Sequence, residues 1–177
     1  MTSTDSSISK EVPKETVDEI VRRFAKEVPP IFGDNLVFGF VCGSVARGVT
    51  VYDDDIDTLI VLKKIDYDQI HLFRTWIFDL HDTFGMKIDK DFPYEVFTLE
   101  TLEEKFSALD RIRPSLHYVS SPTYDTITWA EMVYNPSKAG IIGDQDLIKS
   151  QADRCNEHVQ RWRKEIVGDL KVRKITK

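Results

Sequence analysis

Apolar residues along the chain follow a helical period in two long segments. The first segment begins near Pro13, where proline suits the first turn of a helix, and Pro29-Pro30 is expected to end it. The second spans residues 67–83, and Gly85 provides a stop signal. Their apolar stripes are Val17, Ile20, Val21, Phe24 and Val28, and then Ile70, Phe73, Ile77, Leu80 and Phe84. Both patterns predict amphipathic helices packed on a core.

Three shorter apolar runs predict strands. Leu36–Val41 and residues 56–62 carry almost no polar side chain except at the start of the second run, as expected of strands covered on both sides. Residues 94–99 form a third, more polar run. The order of strand, helix, strand, helix and strand predicts an α/β (α+β) fold, in which helices pack mainly on one face of a mixed β-sheet.

The second half of the chain gives weaker patterns. A helix is predicted over residues 102–109 and a short strand over 116–119, whereas 124–134 is ambiguous between strand and helix. His117 lies in an apolar setting, which is more typical of a structural histidine than of a catalytic one. We therefore predict a disordered tail at 1–12, a folded domain at 13–144, and a C-terminal helix with a basic tail at 145–177.

Composition narrows the class of protein. The chain has 177 residues, a net charge of −6 and two cysteines, and its first residues lack the apolar core of a secretory signal. No apolar run approaches the ~20 residues of a membrane span. These features predict a cytoplasmic protein that does not bind membranes, and the negative charge makes nucleic acid an unlikely partner. Seven basic residues in 161–177 form either a solvated helix face or a basic arm.

The chemistry-bearing residues cluster between the first two strands. Gly43-Ser44 follows the first strand and offers backbone N–H groups and a hydroxyl to an anion. Asp55 and Asp57, two residues apart, are expected on one side of the second strand, where a divalent cation relieves the repulsion of two carboxylates. Asp53 and Asp54 are expected in solvent at the end of an exposed link, 49–54. A phosphate-binding turn beside a metal site predicts phosphoryl or nucleotidyl transfer.

This pattern resembles the nucleotidyltransferase superfamily with the DNA polymerase β-like fold, and its minimal or antibiotic-modifying branches in particular. The matching residues are Gly43, Ser44, Asp55 and Asp57, and Ala46-Arg47-Gly48 is also typical of the family. The resemblance covers residues 36–102 and implies that fold for the domain. Beyond that range, Ile141-Ile142-Gly143-Asp144 resembles the short edge strand and turn that follow the core in antibiotic-type nucleotidyltransferases. It also implies a Mg²⁺-dependent enzyme with a nucleoside triphosphate, ATP in the first instance, as donor.

The resemblance further implies the site residues. Asp55, Asp57 and a third carboxylate would hold one or two Mg²⁺ ions, and Gly43 and Ser44 would bind the β- and γ-phosphates. Glu95 in Tyr94-Glu95-Val96 is the favoured third carboxylate, although the family more often has Asp there, and Asp89 and Asp91 remain alternatives. Arg47 would either add positive charge near the triphosphate or stabilise the turn.

The expected reaction is transfer of AMP to a hydroxyl of a small molecule, such as an aminoglycoside- or lincosamide-like antibiotic. An acidic protein suits a cationic acceptor of this kind. One alternative is a minimal nucleotidyltransferase that modifies a partner protein or RNA, as in toxin–antitoxin pairs, with the C-terminal helix as the docking element. Another is a non-catalytic nucleotide-binding protein of the same fold.

Overall fold

The computed structural model describes residues 10–88, 94–102 and 140–151, together with 153 and 157. This part of the chain forms an α+β fold with a mixed four-stranded sheet. Several sequence predictions lie outside it: most of the helix at 102–109, the strand at 116–119 with His117, the segment 124–134, most of the C-terminal helix, and the alternative carboxylates Asp89 and Asp91.

The sheet has the order β3-β2-β1-β4. Strand β1 pairs antiparallel with both β2 and β4, and β2 pairs parallel with β3. The elements, in chain order, are α1 (Lys14–Phe32), a 3₁₀ turn (Gly33–Asn35), β1 (Leu36–Val41), α2 (Gly43–Arg47), β2 (Thr58–Leu62), α3 (Tyr67–Phe84), β3 (Tyr94–Thr98) and β4 (Ile142–Gly143).

The two long helices pack together against one face of the sheet, because their apolar stripes face the same core. Phe24, Phe32 and Phe73 are buried there, and the rings of Phe32 and Phe73 lie 5.4 Å apart. Helix α3 begins at a side-chain cap, in which Asp66 accepts hydrogen bonds from the next turn. It ends at Gly85 in the left-handed conformation, as its sequence predicts.

The opposite face of the sheet carries a second apolar cluster. Phe38 and Phe40 of β1 and Leu59 and Val61 of β2 are covered there by Ala46, Leu102 and Ile148. The last of these comes from the helical segment after β4, where Asp144 caps the first turn through a 2.9 Å hydrogen bond from the Leu147 N–H. The start of the predicted C-terminal helix therefore packs on the sheet.

The prediction that α1 ends at Pro29-Pro30 is wrong, because the helix continues to Phe32. Neither proline has an N–H, so two hydrogen bonds of the last turns are lost. Phe32 is nevertheless 1% exposed and continues the apolar stripe one turn beyond Val28, so its burial compensates for them. The Gly33 N–H then closes the helix on the Pro29 carbonyl oxygen.

Two strand boundaries also differ from the sequence prediction. Strand β2 begins at Thr58 rather than at residue 56, and β3 ends at Thr98 rather than at 99. Thr98 instead starts a helical segment at 99–102, since its hydroxyl accepts from the Thr101 N–H and the Thr101 hydroxyl accepts from the Thr98 N–H. This reciprocal pair is a capping box.

The end of the predicted N-terminal tail is paired with the loop between α2 and β2. The Val12 N–H donates to the Thr50 carbonyl oxygen at 3.0 Å, and the Tyr52 N–H donates to the Lys10 carbonyl oxygen at 3.1 Å. Residues 10–12 therefore belong to the fold, and the description of 49–54 as an exposed link is wrong at Thr50, which is 2% exposed. None of the helices within the described ranges has the length and apolar character of a membrane span.

Candidate functional site

The antiparallel pairing of β1 and β2 places the Gly-Ser turn beside the aspartates. Val41, at the end of β1, is the register partner of Thr58, at the start of β2. One step further, the Cys42 N–H donates to the Asp57 carbonyl oxygen at 2.8 Å. Residues 42–57 connect the end of β1 to the start of β2 at the same end of this strand pair. The Gly-Ser turn at one end of the connection and the acidic segment at the other therefore lie side by side.

Gly43 lies directly against the Asp57 carboxylate. Gly43 has φ +63°, and a methyl group built on it would lie 1.9 Å from Asp57 Oδ2 and 2.9 Å from Cγ. Glycine is therefore required twice, for the backbone conformation and for the space that the carboxylate occupies. Gly43 and Asp57 are fourteen positions apart in the sequence. Their contact brings the expected phosphate-binding turn against the second aspartate of the motif.

Ser44 belongs to a chain of hydrogen bonds that shapes the loop. Its hydroxyl donates to Thr50 Oγ1 at 3.0 Å, and the Thr50 hydroxyl in turn donates to Asp54 Oδ2 at 3.4 Å. Asp54 Oδ2 also accepts from the Val51 N–H at 3.2 Å, so the expectation that Asp54 lies in solvent is wrong. Asp53 is exposed, as expected.

A buried histidine holds the backbone between the two aspartates. His81 of α3 is 0% exposed, and its Nε2 accepts from the Ile56 N–H at 2.8 Å. Its Nδ1 lies 2.7 Å from the Ile77 carbonyl oxygen and is therefore the protonated nitrogen. Burial lowers the pKa of His81 below its ordinary value, although the Ile77 carbonyl oxygen and the negative charge of Asp55 oppose that shift.

Asp55 and Asp57, which flank Ile56, are both half-buried. The Ile56 side chain itself is fully buried in the core beneath α1 and α3. The short segment is therefore fixed from two sides, by its apolar side chain and by the imidazole. This explains the later start of β2, because the Ile56 N–H is bonded to His81 and not to a neighbouring strand.

Glu95 lies on the neighbouring strand, on the same face as Asp57. Its register partner is Leu59, two residues beyond Asp57, and residues two apart point to one side of a sheet. Glu95 is exposed. The described residues contain no group of three or more His, Cys, Asp or Glu side chains close enough to hold a metal ion, so Glu95 is not brought into one cluster with Asp55 and Asp57.

Comparison of the chain with protein-family models, with curated proteins and with solved structures gives no match. The chemistry of the site is therefore inferred from its residues. Asp57, whose carboxylate lies against Gly43, and Asp55, two residues earlier, are half-buried carboxylates, and carboxylate oxygens are ligands that Mg²⁺ prefers. Arg47 is the last residue of α2 and is half-buried.

Two residues that organise this site, His81 and Thr50, were not predicted from the sequence. His81 was recognisable, since it is a polar residue four positions after Ile77, in the middle of an apolar helix stripe. Thr50 carried no comparable signal, because a threonine in a polar link is ordinary. Its burial depends on pairing with residues far away in sequence.

Proposed function

We propose that this chain is a Mg²⁺-dependent nucleotidyltransferase that transfers a nucleoside monophosphate, AMP from ATP, to a hydroxyl group of a small molecule. The observation that carries the proposal is the contact between Gly43 and the Asp57 carboxylate. It places the backbone of a tight turn, which suits phosphate oxygens, against one of a pair of aspartates, which suits a divalent cation. Nucleotidyl transfer needs these two kinds of group side by side.

The donor set fits Mg²⁺ with Asp55 and Asp57 as protein ligands. Mg²⁺ is usually held by one or two carboxylates and completes its octahedron with waters and substrate phosphates. Glycine at position 43 leaves the Asp57 carboxylate room beside the turn, which any side chain would remove. When bound, Mg²⁺ would supply charge neutralisation on the phosphates as the bond between the α- and β-phosphorus breaks.

The remaining site residues have distinct proposed tasks. The backbone at Gly43 and the hydroxyl of Ser44 bind the β- and γ-phosphates. The Ser44 hydroxyl donates its one proton to Thr50 Oγ1 at 3.0 Å, so this proton turns from Thr50 to a phosphate oxygen when the nucleotide binds. Arg47 adds positive charge near the triphosphate. Glu95, exposed on the same sheet face but not clustered with Asp55 and Asp57, is proposed to accept the proton of the acceptor hydroxyl.

The acceptor in this proposal is a small, hydroxylated and preferably cationic molecule of the aminoglycoside or lincosamide kind. The net charge of −6 supports a cationic substrate, because an acidic surface attracts it over distance. The nucleotidyltransferase fold is part of the same proposal. It is supported by the mixed sheet, with the Gly-Ser turn after β1 and the aspartates just before β2.

The test is incubation of the chain with labelled ATP, GTP, CTP and UTP, Mg²⁺ and a panel of acceptors. Label on an aminoglycoside or lincosamide supports the proposal. Label on a protein or RNA would replace it with the partner-modifying alternative. Nucleotide binding without any transfer would favour a non-catalytic nucleotide-binding protein.

The aspartate variants make the test specific. Asp55→Asn and Asp57→Asn should each lower transfer by at least about 100-fold, because losing a metal ligand removes several kcal/mol of transition-state stabilisation. Asp53→Asn is the matched control, since Asp53 is exposed in the same acidic run, and it should retain activity. Full activity in the Asp55 and Asp57 variants, with unchanged circular dichroism, would refute the assignment.

A further inference from the structure

The segment that contains both proposed metal ligands has no β-ladder partner for its central amide. Ile56 precedes the first residue of β2, Thr58, and its N–H donates to the imidazole of His81 instead. A buried backbone donor must find an acceptor, and this acceptor comes from α3. The conformation of residues 55–57 is thereby coupled to a side chain twenty-five positions away.

Both ring nitrogens of His81 make hydrogen bonds. Because an amide N–H can only donate, Nε2 accepts from Ile56, and Nδ1 carries the proton that is donated to the Ile77 carbonyl oxygen at 2.7 Å. The second bond sets the rotation of the ring, and the full burial of His81 leaves it no alternative partner in water. The imidazole therefore acts as a fixed acceptor in one tautomer.

We propose that His81 is a positioning residue, which aims the carboxylates of Asp55 and Asp57 by fixing the Ile56 amide between them. This inference rests on the proposed function, because it assigns His81 a task at the same metal site. His81 itself does not touch the metal or the nucleotide in this proposal. It acts through one hydrogen bond to the backbone, as residues behind metal ligands commonly do.

The probe is Mn²⁺ in the presence of a non-hydrolysable ATP analogue, with binding followed by electron paramagnetic resonance. His81→Phe keeps an aromatic ring but has no acceptor for Ile56, so Mn²⁺ affinity should fall about 10- to 100-fold. His81→Gln carries an amide oxygen that reaches the Nε2 position and should remain within about threefold of the wild-type affinity. His71→Gln is the matched control, since His71 is exposed on the same helix, and it should bind Mn²⁺ as the wild type does.

A second readout separates local positioning from general damage. Amide hydrogen exchange of Ile56 should be accelerated in His81→Phe and restored in His81→Gln, while exchange of Ile60, in the middle of β2, stays unchanged. If His81→Phe does not fold, His81→Asn replaces it, because the Asn side chain is too short to reach the Ile56 N–H. The same loss of Mn²⁺ affinity is then expected relative to His81→Gln.

The outcomes distinguish failure of this inference from failure of the proposed function. If the wild type binds Mn²⁺ with the ATP analogue, and a folded His81→Phe or His81→Asn binds it equally well, the positioning role is refuted and the function stands. If the wild type binds neither Mn²⁺ nor the analogue and transfers no nucleotide, the proposed function is refuted and the inference falls with it. Weakened binding in His81→Phe with rescue in His81→Gln supports both.

Discussion

Substitution of Gly43 by alanine tests whether the Gly-Ser turn and Asp57 are in direct contact. The added methyl group would lie 1.9 Å from Asp57 Oδ2, 2.9 Å from Cγ and 3.1 Å from Cβ. Rotation of the carboxylate relieves the first two contacts, but the third remains tight. We therefore expect the variant to fold with the Asp57 carboxylate displaced from the turn.

The free-energy cost of Gly43→Ala has a backbone part and a steric part. An alanine at φ +63° is disfavoured by roughly 1–2 kcal/mol, and the reduced entropy of the unfolded chain offsets about 0.4–1 kcal/mol of it. The steric conflict with Asp57 adds about 1–3 kcal/mol, which is typical of overpacking. The free energy of unfolding should fall by about 2–4 kcal/mol in total.

Gly85→Ala is the matched control for the backbone part, which is the cost of an alanine at positive φ. Gly85 has φ +65°, and an added methyl group would meet nothing within 4 Å. Its variant should lose only about 1 kcal/mol. With a urea m-value of about 2 kcal/mol/M, the midpoints should fall by about 1–2 M for Gly43→Ala and about 0.5 M for Gly85→Ala.

A double-mutant cycle with Asp57→Gly isolates the steric part. Asp57→Gly removes Cβ together with the carboxylate, so Gly43→Ala in that background should cost little more than Gly85→Ala. Equal costs of Gly43→Ala in both backgrounds, or a cost no larger than that of Gly85→Ala, would refute the contact. Binding of Mn²⁺ with an ATP analogue should weaken in Gly43→Ala and not in Gly85→Ala.

Two further predictions concern the residues that hold the loop and the acidic segment. Burial lowers the pKa of His81 in the folded state, so His81 is neutral in both the folded and the unfolded chain above about pH 6.5. Below that pH the unfolded chain binds the proton before the folded chain does. As the pH falls from about 6.5, the free energy of unfolding should therefore decrease by up to about 1.4 kcal/mol per pH unit, as measured by urea titrations. The same decrease in His81→Gln, which has no imidazole at this position, would contradict the prediction. Thr50→Val removes the hydroxyl between Ser44 and Asp54 and should cost about 1–2 kcal/mol. The cost should be strongly coupled to Ser44→Ala in a double-mutant cycle, and additive values would exclude the hydrogen-bond chain.

Much of the fold was predictable because local patterns and the core agree. The stripes on α1 and α3 are the ones that bury Phe24 and Phe73, and β1 has the predicted bounds. The edge strand at Ile142, which pairs with β1, was predicted only from the resemblance of residues 141–144 to antibiotic-type nucleotidyltransferases. Where burial opposed a local rule, as at Pro29 and Pro30, burial decided the outcome.

The sequence by itself determined the two segments of the candidate site, because Gly43-Ser44 and Asp55-Ile56-Asp57 are recognisable by residue type and spacing. Only the tertiary structure decided how they are held. The Gly43 contact follows from strand register, and the hydrogen bond from Ile56 to His81 follows from the packing of α3 beneath the sheet. Such contacts join residues far apart in sequence, and no local pattern specifies where two distant segments meet.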